Sequence, residues 1–373
     1  MKKTLYIHIG TGKTGTTALQ DFFLLNSDKL EESGVKYAKS GLVKNNHHLL
    51  CRNYLRKDEA IQSDIVANLE ALNQEINGSE LNTFLISSEY FPGLQPDEIS
   101  ELATIIEARI VPIVYLRRQD EFLESWYAQI VKAYKVNSNI YSLKNRLINE
   151  KIFDYKYLTG CWEKVNAQNE IIVRPYEKDS FYNNNIFDDF INALGLNIDD
   201  KFDFPKKDPN PSLKPNQIVL GLEMYDYCSE EQKNIIFTYF EGVEDNSKFF
   251  LSTEERNEII DEHNKINNYV AQRYLNKERL FKNNSAKVDG GGESIFSTSF
   301  IEDFIISIYI YYPEKMKKIE SALITFLKHK SVFFKNENNK ELERKLLRLA
   351  LIVRPRAPHV VKMLKESFER KAQ

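Results

Sequence analysis

The segment from Thr4 to Gln20 (TLYIHIGTGKTGTTALQ) constrains the fold more than any other stretch of the chain. A short apolar run from Leu5 to Ile9 ends at Gly10, Gly12 and Gly15, and a helical pattern begins at once. A strand that turns through glycines into a helix is the opening of a βαβ unit. It is also an anion hole in outline. Glycines let backbone amides approach a phosphate, the helix N-terminus supplies unsatisfied N–H groups, and Lys13 with the Thr16 and Thr17 hydroxyls completes the cradle.

The rest of the N-terminal half repeats the alternation of apolar runs and helical patterns. Strands are expected at Thr4–Ile9, Asn82–Ser87, Val111–Leu116 and Glu170–Val173. Helices are expected at about Thr14–Asn26, Ser63–Ile76, Pro96–Ala108, Gln119–Tyr134, Asp154–Asn166, Phe187–Leu194, Lys214–Cys228 and Thr253–Leu275. This pattern predicts an α/β fold with a parallel sheet of four or five strands, helices on both faces, and ligands at the carboxyl ends of the strands. Lys282–Ser294 (KNNSAKVDGGGES) reads as a flexible linker, and Phe300–Lys330 and Asn339–Arg370 read as helices, the second broken near Pro355 and Pro358. The expected domains are therefore 1–281, a linker at 282–294, and a helical extension at 295–373.

Charge separates that extension from the rest. The whole chain carries a formal −3, but residues 315–373 carry +10 and the remainder −13. Three dispersed cysteines exclude a disulfide framework or a zinc site, and a reducing, cytoplasmic location is expected. The longest apolar stretch, Phe304–Tyr312, is less than half of the roughly 20 residues a membrane span needs. Leu342, Leu346, Leu347, Leu349 and Ile352 are expected to be core. One reading of the extension is a helical cap with a solvated cationic face. A second is peripheral contact between its basic helices and an anionic membrane, at the inner face; a third is guidance of an acidic polysaccharide. Nucleic acid is not expected, since no recognised binding motif accompanies the charge.

The ATPase pattern G-x-x-x-x-G-K-[ST] would need a glycine at position 7, where Ile7 stands, so Gly12-Lys13-Thr14 does not complete it. The run G-x-G-K-T-G-T-T-x-L-Q instead resembles the 5′-phosphosulfate loop of sulfotransferases that use 3′-phosphoadenosine 5′-phosphosulfate (PAPS). A second motif supports the resemblance: Ser125 follows Arg117 by eight positions, across the end of a strand and into a helix. The guanidinium suits a bidentate contact with a phosphate. Ile171–Glu177, Asn210-Pro211-Ser212-Leu213 and Leu251–Leu275 resemble later segments of a bacterial, carbohydrate-modifying branch, so the likeness covers residues 4 to 281. It implies a P-loop-like three-layer fold. It implies that Gly12, Lys13, Thr14, Gly15, Thr16 and Thr17 hold the 5′-phosphosulfate and that Arg117 and Ser125 hold the 3′-phosphate. Arg174 and Glu177 are read as a structural pair and left out of the site.

Transfer to a hydroxyl also needs charge stabilisation on the departing phosphate, the role of Lys13, and a general base. Glu89, directly after a predicted strand, is the first candidate. The paired histidines His47 and His48 are the second, with His47 ranked behind Glu89, and His8 is expected to be packed in the core. The expectation is thus a PAPS-dependent sulfotransferase, without metal, that releases 3′,5′-bisphosphoadenosine (PAP) and sulfates a carbohydrate or glycolipid acceptor. Two alternatives stand beside it: an ATP-dependent P-loop phosphotransferase, and a nucleotide-binding module without catalysis.

Overall fold

The structure is a computed structural model that describes residues 2–51, 62–134, 139–196, 202–205, 213–240, 243, 245, 249–283, 285 and 297–370. In chain order its elements begin with β1 (Thr4–Ile9), α1 (Thr16–Leu25), α2 (Ser27–Glu32), β2 (Val35–Tyr37), α3 (Gln62–Gly78), β3 (Thr83–Ser88), α4 (Pro96–Ile105) and β4 (Arg109–Leu116). There follow α5 (Gln119–Tyr134), α6 (Ile140–Asn149), α7 (Tyr155–Trp162), β5 (Ile172–Pro175), α8 (Ile186–Ala193), α9 (Pro215–Met224) and α10 (Glu230–Tyr239). The last are α11 (Thr253–Val270), α12 (Thr298–Tyr311), α13 (Pro313–Asn336), α14 (Lys340–Val353) and α15 (Pro358–Glu369).

The strands form one parallel sheet in the order β2-β3-β1-β4-β5. β1, β3 and β4 are covered on both faces and read in sequence as near-continuous apolar runs, as buried parallel strands do. Alternate side chains feed two cores. Leu5, Ile7, Ile9, Phe84 and Ile86 pack with Leu72 of α3, Leu102 of α4 and Trp162 of α7 on one face. Leu85, Ile113 and Tyr115 pack with Phe22 and Phe23 of α1, Leu30 of α2 and Phe190 of α8 on the other. This is the expected three-layer α/β fold. The unpredicted strand, β2, is three residues long with Lys36 at its centre, and that lysine pairs with Glu75 at 3.3 Å.

The chain divides into two compact units. The first, Met1–Leu123, Lys144–Asn210 and Arg256–Ala286, holds the sheet. The second, Glu124–Leu143, Pro211–Glu255 and Lys287–Gln373, is helical. The units interleave, which corrects the expected division into 1–281 and 295–373. The extension shares a core with α9 and α10: Phe240 meets the rings of Phe300 and Phe304 at 6.3 and 5.2 Å, and Lys330 pairs with Glu223 at 2.6 Å. Leu346, Leu347 and Leu349 are buried as expected, whereas Leu342 is half-buried and Ile352 exposed. Phe300–Lys330 is two helices, because Pro313 starts a new one. Of the predicted linker only 282, 283 and 285 lie among the described residues, and Asn210-Pro211-Ser212 lies outside them.

Candidate active site

Sheet order brings three loops together. β1 is central, and the chain leaves its carboxyl end through residues 10–15 into α1; β3, which ends at Ser88 before Glu89, and β4, which ends before Arg117, flank it. Strand order reverses around β1, the position where open α/β sheets form a crevice.

The glycine loop is shaped by its own side chains. Lys13 (φ 64°) and Gly15 (φ 71°) are left-handed, a conformation that costs a residue with a side chain roughly 1–2 kcal/mol. The Thr14 hydroxyl donates to the Thr11 carbonyl at 2.6 Å and the Thr16 hydroxyl to the same oxygen at 3.2 Å, while the Thr11 hydroxyl donates to the Tyr115 carbonyl. Thr14 and Thr16 are buried, so their hydroxyls hold the loop and do not line it, in contrast to the role implied for them. At Gly10 a Cβ would come within 3.0 Å of the Ser88 carbonyl, which ties the loop to β3. Gly15 caps α1 without a side-chain bond, leaving the first-turn amides of the helix to an outside acceptor.

Arg117 reaches back to this loop. Its Nη1 donates to the Lys13 carbonyl at 2.9 Å, its guanidinium lies 5.6 Å from the Tyr176 ring centroid, and Nε sits 3.5 Å from Glu121 Oε2 without a hydrogen bond. The next residues anchor the turn. Asp120, fully buried, accepts from Arg118 Nε at 2.6 Å and Nη2 at 2.9 Å and from Arg256 Nε at 3.0 Å. Gln119 and Asn267 exchange two amide hydrogen bonds of 3.0 Å. Ser125 stands half-buried on the second turn of α5, where the helix already belongs to the second unit.

On the other flank, Thr17 donates to Glu89 Oε1 at 3.3 Å. Glu89 is exposed to solvent, with neighbouring protein partly desolvating its carboxyl. Burial raises its proton affinity, against the Thr17 hydroxyl and the Lys13 charge, which hold it down. The two histidines separate. His47 is fully buried: Nδ1 accepts from the Ser87 amide at 3.1 Å and Nε2 donates to the Ala38 carbonyl at 2.8 Å, so neither nitrogen is left for a substrate. It is a positioning histidine for the segment that follows β2, which corrects its candidacy as base. His48 is half-buried, with Nδ1 2.8 Å from Ser88 Oγ and its ring edge against Tyr90 at 4.5 Å. Ser88 Oγ also accepts from the Tyr90 amide at 3.1 Å and from Cys51 Sγ at 3.4 Å. His8 is core as expected, edge-on to Phe23, Tyr115 and Phe190. Arg174 pairs with Asp189 at 3.1 Å; Glu177 accepts from the Lys282 amide at 2.9 Å instead of pairing with it.

Lys13, Gly15, Thr17, Glu89 and Arg117 therefore share one edge of the sheet. Tyr176 is the residue that the sequence reading missed. It follows β5, packs on Arg117, and its hydroxyl lies 3.3 Å from where a Cβ on Gly15 would be. Its signal was its place after the strand next to β4.

No family model matches the chain. It is 28% identical over 204 residues to an uncharacterized protein of Archaeoglobus fulgidus, covering 53% of this chain and 55% of that protein. The chain thus spans about half the length of the curated relative it matches.

Proposed function

We propose that this chain is a sulfotransferase that takes a sulfuryl group from PAPS and passes it to a hydroxyl of a carbohydrate acceptor on a surface glycan or glycolipid. The observation that carries the proposal is the contact of Arg117 with the Lys13 carbonyl. It joins the loop suited to a 5′-phosphosulfate to the guanidinium suited to a 3′-phosphate. The residues suit a nucleotide with two anionic groups: the Arg117 guanidinium stands beside the glycine loop, its Nε 3.5 Å from Glu121 but without a hydrogen bond, and the α1 amides have no side-chain cap.

The roles follow from placement. The α1 amides, Gly12, Gly15 and Thr17 border the phosphosulfate, and the Lys13 ammonium offsets the charge that grows on the departing phosphate. Thr14 and Thr16 keep the loop in shape. Arg117 holds the 3′-phosphate. Glu89 accepts the acceptor proton, and the raised proton affinity of its carboxyl suits it to do so. The donor supplies the activated sulfonate, and the acceptor oxygen attacks sulfur in line as the phosphate leaves. In this reading the enzyme works in the cytoplasm, where the donor is made available.

Calorimetric titration with PAP, ADP and ATP tests the proposal. PAP is expected to bind at least tenfold more tightly than ADP, and Arg117→Ala to erase that preference, which corresponds to about 1.4 kcal/mol or more. Equal binding of PAP and ADP, or preference for ATP with magnesium, would assign the chain to the phosphotransferases.

A further inference from the structure

One end of the helical unit has an apolar surface that its core does not consume. α12 buries Phe300, Ile301, Phe304, Ile305 and Ile308, yet its last two turns also expose Ile306, Tyr309 and Ile310, at 40, 57 and 62%. The corner that follows exposes Tyr311 and Tyr312, at 71 and 41%. Pro313 then reverses the chain into α13, and Lys315, Lys317 and Lys318 lie in its first turns. α14 runs back along α13, and the Arg354 guanidinium pairs with Glu320, so the end of α14, with the exposed Arg356 two residues on, returns to within about two turns of that corner.

The carboxylates at this end are engaged. Glu314 pairs with Lys317 at 2.9 Å, Glu231 with Lys318 at 2.7 Å and Glu320 with Arg354. Lys315 and Arg356 make no ion pair among the described residues. Tyrosines and isoleucines at a helix end, rimmed by a surplus of cations, combine the two terms of interfacial binding. Apolar and aromatic side chains enter the headgroup boundary, and lysine and arginine meet anionic headgroups. A second copy is the poorer fit, because a two-fold contact would set the same cations against themselves.

We propose that the Ile306–Tyr312 corner, with Lys315 and Arg356, docks this protein on the surface of an anionic lipid bilayer. The docking is peripheral: among the described residues no helix is long and apolar enough to cross a membrane. The surface belongs to the helical unit alone, so its test does not depend on what the glycine loop binds.

The test is co-sedimentation of the full chain with vesicles of phosphatidylcholine alone and of phosphatidylcholine mixed with phosphatidylglycerol. The wild type is expected to sediment with the mixed vesicles and to be released by salt. The triple change Tyr309→Ser, Ile310→Ser and Tyr311→Ser is expected to lower the partition coefficient about tenfold or more. Lys315→Gln with Arg356→Gln is expected to remove the preference for anionic vesicles. All five positions are at the surface or half-buried, and melting followed by circular dichroism checks that each variant is folded. Three results overturn the proposal: no sedimentation with mixed vesicles, unchanged sedimentation of the triple variant, or a dimer in ultracentrifugation that the triple variant dissolves while vesicles bind neither protein.

Discussion

His47 and Glu89 show how far residue types alone lead at a single position. Both are of a kind that accepts protons, and only their surroundings separate them. Two backbone bonds consume both nitrogens of His47, whereas Glu89 keeps an exposed carboxylate beside Lys13 and Thr17. Two variants are therefore expected to fail differently. Glu89→Gln should lower turnover with a sulfate acceptor by about 10² or more while leaving PAP affinity unchanged in calorimetry. His47→Ala should leave the Ser87 amide and Ala38 carbonyl unpaired, at about 1–3 kcal/mol each, seen as a lower urea midpoint with normal turnover per folded molecule. Lys13, Arg117 and Glu89 were legible because each stands next to a strand end that the apolar runs define. The inward turn of Thr14 and Thr16 was not, since it depends on a carbonyl, that of Thr11, whose direction the left-handed Lys13 and Gly15 help to set.

At the scale of elements, the strands buried on both faces were readable to within two residues at most ends, because a parallel sheet between helical layers must be apolar throughout. β2 escaped: three residues around a lysine carry no periodicity, and its place in the sheet comes from pairing with β3. What sequence patterns hid most completely is the clamp between the start of α5 and α11. Asp120, Arg118 and Arg256 look like surface charges at helical spacing, yet they are 0, 5 and 2% exposed. A buried carboxylate shared by two guanidiniums makes a specific prediction. Asp120→Asn removes the carboxylate that the two buried guanidiniums share, leaves Arg118 with Glu121 at 3.2 Å, and should cost about 3–5 kcal/mol. Arg256→Met leaves Asp120 with Arg118 and should cost less. Urea denaturation of both variants measures the difference, and a larger loss for Arg256→Met would contradict this account of the clamp.

For the whole molecule, pH is the most direct probe. Burial lowers His8 to about 3 and His47 and His48 to about 4 from an ordinary value near 6.5. Between pH 6.5 and 4 the unfolded chain binds protons at these residues that the native chain does not, so stability rises with pH across this window and falls as the solution is acidified. Each histidine contributes a slope of about 1.4 kcal/mol per pH unit. Stability from urea denaturation should follow that slope between pH 6.5 and 5 and level off above pH 6.5, and His8→Phe should remove about a third of it or less, since His48 and His263 are lowered by burial as well. The division into units was the least legible property of all. The glycine-rich stretch marked where the first unit ends, but nothing in composition announces that 124–143 and 211–255 belong with the tail.

The interleaving has a consequence for synthesis on the ribosome. Asp120 and Arg256 are 136 residues apart. At about 5–20 residues per second, the partner of Asp120 is made roughly 7–27 s after it. From Pro175 onward every strand of the sheet has been made, while the turn that carries Arg117 still lacks the clamp from α11. The crevice beside the glycine loop thus becomes rigid only after most of its unit has been made, although that loop is among the first parts to leave the ribosome.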